Sequence, residues 1–308
     1  MENAIWNGRL YVASNISNTH ALEEKIRLAS SNGELLCPDE TCTNRRLKYC
    51  HGEKKDAYFS HLANCTCEYS NFDKENTPVI RHVKRSIYEY LSQNGFNVKL
   101  EPKILPNHYT HILITLESKE IAIEFGDQKT TQKHIKEITD MYNDTNIELQ
   151  WIVVTDNEAP NDEKNAFCLR RYLLNKSRNK SVLEINETCS NFKKYIMDPN
   201  KYIFDGKELA SSNYPNKYEE NFQISALTVE SNELTVSGFY DRYKAYLQKK
   251  ETAFEKKVQE LEREKINNVK LFTCVGCGDK IVENDIKIFK SKGFCVCEKC
   301  YTKYPNRW

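Results

Sequence analysis

The stretch that decides the fold runs from residue 78 to residue 125 and reads PVIRHVKRSIYEYLSQNGFNVKLEPKILPNHYTHILITLESKEIAIEF. Its first part carries apolar residues at helical spacing as far as the Asn94-Gly95 pair, which predicts an amphipathic helix that ends there. Three runs with β-strand character follow: Phe96–Leu100, Ile112–Leu116 and Ile121–Phe125.

A second helix and a fourth strand complete this pattern. Ile135, Ile138 and Tyr142 fall on one face of the predicted helix. The apolar run Leu149–Val154 then has the character of a buried central strand. The predicted fold class is α+β, with a core at 76–175 in the order helix, three strands, helix, strand.

The rest of the chain divides into four regions by composition. Residues 1–75 form a Cys/His-rich segment, and the polar, Asn-rich residues 176–238 have the character of an irregular or β linker. Residues 239–270 are predicted to form a charged helical stalk with a narrow apolar stripe, which favours a homo-oligomer paired through the stalk. Residues 271–308 hold the second group of cysteines.

Composition limits the classes of function. The net charge of +1 gives no global attraction to nucleic acid or membrane, so contact with either would need a local patch. The sequence has no apolar run of 18 residues and no signal-peptide pattern at Met1, so we expect a cytoplasmic protein without a membrane partner. Twelve cysteines, mostly clustered, point to metal rather than to disulfides in that compartment.

The C-terminal cysteines have the spacing of a zinc ribbon. Two C-x2-C pairs, Cys274 with Cys277 and Cys297 with Cys300, can aim four thiolates at one tetrahedral ion. Cys295 is an alternative to Cys297 by spacing. Four protein ligands close such a site, so the predicted zinc is structural.

The N-terminal cluster is less regular. Cys37 and Cys42 can supply one half of a zinc site, and His61 and Cys65 the other half. Cys50 and Cys67 remain as rival ligands, and free thiols in a loop are the alternative. The sequence therefore predicts one or two structural zinc ions.

Several motifs in order resemble the CoiA-like competence protein family. They are Cys37-Pro38, the run Tyr58–His61, His82 with Lys84 and Arg85 on the first helix, Val98–Glu101, Ile121–Phe125, and Trp151-Ile152-Val153. The resemblance implies an N-terminal zinc segment joined to a nuclease-like domain of the PD-(D/E)XK type. It covers about residues 35–155.

The resemblance also implies a metal site for phosphodiester cleavage, in which carboxylates hold a divalent ion. Glu124 falls on the Glu position of the motif. The Asp position falls on His111 and the Lys or Gln position on Gly126, and neither residue suits Mg²⁺ chemistry.

Other residues can be considered as substitutes for the two missing groups. Glu89 or Glu101 could supply a carboxylate, and a bulge could bring in Asp127, Gln128 or Lys129. His111 with Glu124 could bind Mn²⁺ instead of Mg²⁺.

Two missing groups favour a nuclease fold without nuclease activity. We expect a non-catalytic binding protein that contacts DNA or another protein, by analogy an inhibitor or accessory in phage–bacterium conflict or DNA uptake. The alternative is an active metal-dependent DNA nuclease with Mg²⁺ or Mn²⁺.

Overall fold

The structure is a computed structural model. It describes residues 1–53, 55–62, 65, 67–106, 108–155, 162–177, 180–190, 192–198, 202–205, 207–208, 217–230, 232–267, 271–290 and 294–305.

The described residues form both α-helices and β-strands along the chain. The α-helices are α1 Ala13–Ser17, α2 His20–Ser31, α3 Glu68–Glu75, α4 Pro78–Gln93, α5 Gln132–Tyr142, α6 Asp162–Lys176, α7 Phe239–Asn267 and α8 Glu298–Lys303. The strands are β1 Asn3–Trp6, β2 Arg9–Val12, β3 Leu47–Gly52, β4 Lys55–His61, β5 Asn97–Leu100, β6 Lys103–Leu105, β7 His108–Tyr109, β8 Ile112–Thr115, β9 Glu120–Gly126, β10 Ile147–Thr155, β11 Ser181–Asn186, β12 Phe192–Met197, β13 Ile203–Phe204, β14 Lys207–Glu208, β15 Lys217–Phe222, β16 Leu227–Glu230, β17 Glu233–Val236, β18 Leu271–Cys274, β19 Lys280–Val282, β20 Ile286–Lys290 and β21 Phe294–Cys297.

The chain divides into two compact units. The first comprises Met1–Asn200 and Pro215–Arg242, and the second comprises Lys201–Tyr214 and Tyr243–Trp308. The mixed α+β class predicted from the sequence is confirmed.

A seven-stranded sheet forms the centre of the first unit, in the order β15-β12-β11-β10-β9-β8-β5. Strands β9, β10 and β11 run parallel, and the other neighbours are antiparallel. Helix α4 begins where Thr77 caps it, because the Thr77 side chain accepts a hydrogen bond from the Ile80 N–H and Pro78 suits the first turn.

Alternation along the strands directs side chains to two different helical layers. Ile121, Ile123 and Phe125 of β9 belong to the core that α4 covers. Ala122, between them, packs with Ile138 and Tyr142 of α5 on the opposite face. Glu124 has the parity of Ala122, so the strand directs its carboxylate toward the α5 side.

The order of elements from α4 to β10 follows the predicted order, with the short hairpin of β6 and β7 added after β5. The region 176–238 differs from the predicted linker, because β11, β12 and β15 lie in the central sheet. One reason that the sequence hid β12 is that Lys194 lies fully buried against the carboxylate of Glu233. Lys194 and Glu233 are too far apart in the sequence for their pairing to appear as a periodic pattern of residues.

The second unit contains the small hairpin of β13 and β14, most of α7, and a four-stranded sheet in the order β19-β18-β21-β20. Part of the α7 stripe is covered within this unit, because the Phe254 and Tyr202 rings lie 5.2 Å apart. Helix α7 extends over 29 residues, and residues 268–270 of the predicted stalk lie outside the described part. Among the described residues, no helix combines the length and apolar character needed to cross a membrane.

Candidate functional site

The carboxylate of Glu124 is enclosed by hydrogen-bond donors from three directions. His108 contacts Oε1 through Nε2 at 2.9 Å, and the Tyr142 hydroxyl donates to the same oxygen at 3.2 Å. His111 contacts Oε2 through Nδ1. Only 1 % of Glu124 is exposed, so its contacts are with protein rather than solvent.

The second nitrogen of His111 is also engaged. Its Nε2 lies 2.6 Å from Oδ1 of Asn76, whose amide is oriented by a hydrogen bond from Nδ2 to the Phe72 carbonyl. Both nitrogens of His111 therefore face acceptors whenever Glu124 is ionised, and each must then carry a proton. With both nitrogens protonated, the contact is an imidazolium–carboxylate ion pair, and burial opposes the charge on His111 by lowering its pKa.

Glu101 lies in a second buried cluster. Its side chain contacts the ammonium of Lys84 and the hydroxyl of Tyr69, and it accepts a hydrogen bond from the Glu2 N–H at 3.1 Å. The Glu101 backbone has a φ of 49°, in the left-handed region that non-glycine residues seldom adopt. Surrounding contacts hold this conformation and direct the carboxylate inward.

The ring of Phe72 lies close to a residue of each cluster. Its centroid lies 5.0 Å from that of His111, and the Lys84 Nζ lies 5.5 Å from the same Phe72 ring. Among the described residues, the ligand atoms of Glu101 and Glu124 belong to no group of three that could hold one metal ion.

Neighbouring charges and hydrogen-bond donors lower the pKa of both carboxylates. Burial alone would raise the pKa of Glu124, but the charge of His111 and the hydrogen bonds from both histidines lower it to about 2. Burial likewise opposes ionisation of Glu101, and Lys84 lowers its pKa to about 2. Burial lowers the pKa of His111, and the Glu124 carboxylate opposes this by favouring the imidazolium.

The other predicted substitutes do not reach Glu124. Glu89 lies outside the buried stripe of α4 and has no hydrogen bond or ion pair with the described residues of either cluster. Asp127 is engaged in a turn, where its carboxylate accepts hydrogen bonds from the Lys129 N–H at 2.9 Å and from the Thr130 hydroxyl at 3.2 Å. No bulge of β9 redirects Asp127, Gln128 or Lys129 to the site.

Gly126 is enclosed by neighbouring side chains. A Cβ atom there would lie 3.3 Å from Cδ2 of Leu169 and 3.4 Å from Cγ2 of Thr130. A side chain at this position would therefore require the ends of the Leu169 and Thr130 side chains to shift by a few tenths of an ångström.

Four enclosing residues were not anticipated as site residues: His108, Tyr142, Asn76 and Tyr69. The His108-x-x-His111 spacing was an available signal, since two histidines precede a strand that pairs with the strand of Glu124. Lys84 could also have been recognised as a site residue, because it interrupts the apolar stripe of α4 at a buried position. Tyr142 was assigned to the core, and its hydroxyl gave no separate signal.

The C-terminal cysteines form a tight cluster in the second unit. Ligand atoms of Cys274, Cys277, Cys297 and Cys300 lie within 4.8 Å of one another. The Cys297 sulfur lies 3.6 Å from that of Cys274 and 3.9 Å from that of Cys277. Sulfurs bound to one tetrahedral zinc at 2.3 Å would be separated by about 3.8 Å, so the donor set fits a zinc ion.

Hydrogen bonds to sulfur favour the thiolate form of Cys274, whereas burial and neighbouring groups raise the pKa of Cys277 and of Cys300. Burial would raise the pKa of the Cys274 thiol, but backbone N–H groups directed at its sulfur, that of Cys297 first among them, lower it to about 6. Cys295, the rival ligand by spacing, points elsewhere, and its sulfur contacts the Thr273 carbonyl at 3.8 Å.

The N-terminal cluster brings Cys37, Cys42 and His61 together with Cys67, within 4.8 Å. The Cys37 and Cys67 sulfurs lie 3.8 Å apart, which also fits one tetrahedral ion. Cys65, the predicted fourth ligand, lies 3.1 Å from the Cys42 sulfur, a shorter spacing than two thiolates on one zinc would have. The structure thus places Cys67 where the sequence favoured Cys65.

A comparison with protein families matches residues 81–232 to the family described as competence protein CoiA, nuclease-like domain. The chain carries a CoiA-like, nuclease-like domain. The matched segment extends from α4 through β16, and so includes the strands β11, β12 and β15. Glu101, His111 and Glu124 all lie within the matched segment of the CoiA-like domain. No curated protein matches the chain.

The two lowered pKa values predict how stability of this domain depends on pH. Each carboxyl group has a folded pKa of about 2, below the ordinary 4.5, so its stabilising contribution is present above about pH 4.5. That contribution is lost as the pH falls toward 2, on the order of 3 kcal/mol for each group. Urea denaturation between pH 5 and 2.5 measures it. Glu124→Gln should flatten the decline, and equal slopes for the variant and the wild type would contradict this assignment.

Proposed function

We propose that this chain is a non-catalytic, nuclease-fold binding protein whose CoiA-like domain is of the PD-(D/E)XK type. One observation carries the proposal: the Glu124 carboxylate is held by His108, His111 and Tyr142. A divalent ion bound at Glu124 would polarise a phosphate and activate water. For that ion to bind, the chain would have to break these contacts and leave buried donors without partners.

The residues at the motif positions support the same conclusion. His111 replaces a carboxylate and donates to Glu124, so it acts as a partner of the carboxylate rather than as a second oxygen ligand. Gly126 offers no side chain, and Leu169 and Thr130 occupy the adjacent space. The network therefore acts as a structural element of the sheet in this proposal.

Structural zinc in both Cys/His clusters is the second part of the proposal. Thiolate and imidazole donors at tetrahedral spacing suit zinc better than Mg²⁺ or Ca²⁺, which prefer oxygen. Four protein donors leave no open position for catalysis in either cluster. The zinc modules and the sheet would present surfaces to DNA or to a protein partner, in DNA uptake or in conflict between phage and bacterium.

An active metal-dependent nuclease is the second candidate, and the family match favours it. It requires a conformation in which Glu124 and Glu101 both turn toward one ion. Each carboxylate is already paired with protein donors, and the described residues bring no group of three ligand atoms together at either one.

Cleavage assays separate the two candidates. We expect no cleavage of linear, circular or single-stranded DNA with Mg²⁺ or with Mn²⁺, because no free carboxylate pair is available. Glu124→Ala serves as the matched control, since a contaminating nuclease would cleave equally in both preparations. Cleavage by the wild type that Glu124→Ala abolishes would establish the nuclease instead.

Metal analysis tests the zinc assignment. The purified protein should contain about two zinc ions per chain, and Cys300→Ser and Cys42→Ser should each remove about one. Cys295→Ser should retain both ions, because its sulfur faces away from the cluster. Full zinc content in Cys300→Ser, or loss in Cys295→Ser, would refute the ligand assignment.

Pairing of the stalk with a second copy is proposed for the distal part of the α7 stripe, where Val258 and Leu261 are half-buried. Leu261→Asp should shift the species seen by sedimentation velocity from dimer to monomer. Gln259→Asp, on the exposed face, should not. A wild type that sediments as a monomer at every concentration would remove this part of the proposal.

A further inference from the structure

The Sγ atom of Cys67 is part of the N-terminal cluster and also caps the start of helix α3. Cys67 is the N-cap of α3, and its Sγ accepts a hydrogen bond from the Ser70 N–H at 3.3 Å. The same Sγ lies 3.8 Å from the Cys37 sulfur and 3.9 Å from Nε2 of His61. The donor set of the cluster therefore fixes the point at which α3 begins.

The rest of α3, together with Asn76 just after it, covers both buried carboxylate clusters. The Tyr69 hydroxyl contacts Glu101, and Tyr69 is fully buried. The Phe72 ring lies against that of His111 at a tilt, and Asn76 accepts from the outer nitrogen of His111. Three side chains at positions 69, 72 and 76 share one helical face, so a single short helix closes the site from the outside.

We propose that the N-terminal Cys/His cluster is a metal-dependent latch that holds α3 as a cap over the nuclease-like site. A soft divalent ion such as zinc, bound by Cys37, Cys42, His61 and Cys67, fixes the start of the cap. Without the ion, α3 separates from the sheet and exposes Glu101, His108, His111 and Glu124. This latch goes beyond the binding role and would operate equally in an active nuclease.

The length of α3 is the physical reason for the dependence. A helix of eight residues is marginal in water without tertiary contacts, because nucleation is costly. An N-cap contributes about 1 kcal/mol, and here the capping atom is itself a donor of the cluster. Loss of the ion would free the Cys67 side chain and remove the constraint that joins α3 to Cys37 and His61.

The polar groups of the covered site also make its opening depend on the position of α3. Tyr69 and Asn76 satisfy Glu101 and His111 only while α3 is in place. Once the cap leaves, these buried polar groups need water or a cation, so the open state would be hydrated rather than collapsed. The latch would then determine whether anything outside the protein can reach the site.

Hydrogen exchange with metal analysis tests the latch in the full-length protein. Cys42→Ser removes a ligand that lies outside α3 and its N-cap, and Cys300→Ser removes one from the other cluster as the matched control. We expect amides in residues 68–76 to exchange about tenfold faster or more in Cys42→Ser, with residues 78–155 unchanged. Cys300→Ser should leave residues 68–76 at the wild-type rate.

A second measurement keeps the proposal falsifiable if Cys42→Ser misfolds. Stepwise removal of zinc from the wild type with a chelator, followed by its return, should open and close residues 68–76 in proportion to the metal content. Protection of residues 68–76 that persists after both ions are removed would overturn the latch. Exchange that rises uniformly over residues 1–155 would overturn it as well, since that is general unfolding.

Discussion

The contact between Glu124 and His111 is the constraint on which the first unit depends. It joins β9 to the residue that precedes β8, at a point where a buried charge without a partner would cost several kcal/mol. His108, Tyr142 and Asn76 extend the contact on both sides, so five side chains from separate elements satisfy one another. The elements that supply them must therefore come together in one arrangement.

Under the proposed function, the same network balances charge in a nuclease-like sheet without an ion. In a metal-dependent site, the cation offsets carboxylates that would otherwise repel. Here an imidazole replaces one carboxylate and supplies the balancing proton, and an amide closes the other side of that ring. Lys84 performs the corresponding role for Glu101. Protein groups thus supply the charge balance at both positions.

Sequence reasoning recovered the parts of the fold in which periodicity and burial agree. Helix α4 and strands β8 to β10 have apolar residues at the spacing of their final structure, so their positions were predictable. Strand β12 was not, because a buried lysine at Lys194 contradicts the apolar pattern and its partner Glu233 lies far along the chain.

The candidate site was predictable to a similar extent. Glu124 and His111 were identified, and they contact each other. Glu101 was proposed as a substitute for the missing carboxylate, and the structure pairs it with Lys84. The choice between Cys65 and Cys67 depended on where α3 begins. Spacing along the sequence carries no information on that point, because both residues follow His61 closely.

The central claim is that Glu124 and its histidines are closed to metal ions, and Mn²⁺ titration followed by NMR tests it most directly. With ¹⁵N-labelled histidine, His108 and His111 should keep their linewidths as Mn²⁺ is added, because their nitrogens are engaged with Glu124 and Asn76. Exposed His20 and His134 report non-specific effects within the same spectra. Selective broadening of His108 and His111 at substoichiometric Mn²⁺ would contradict the account and indicate an open metal site.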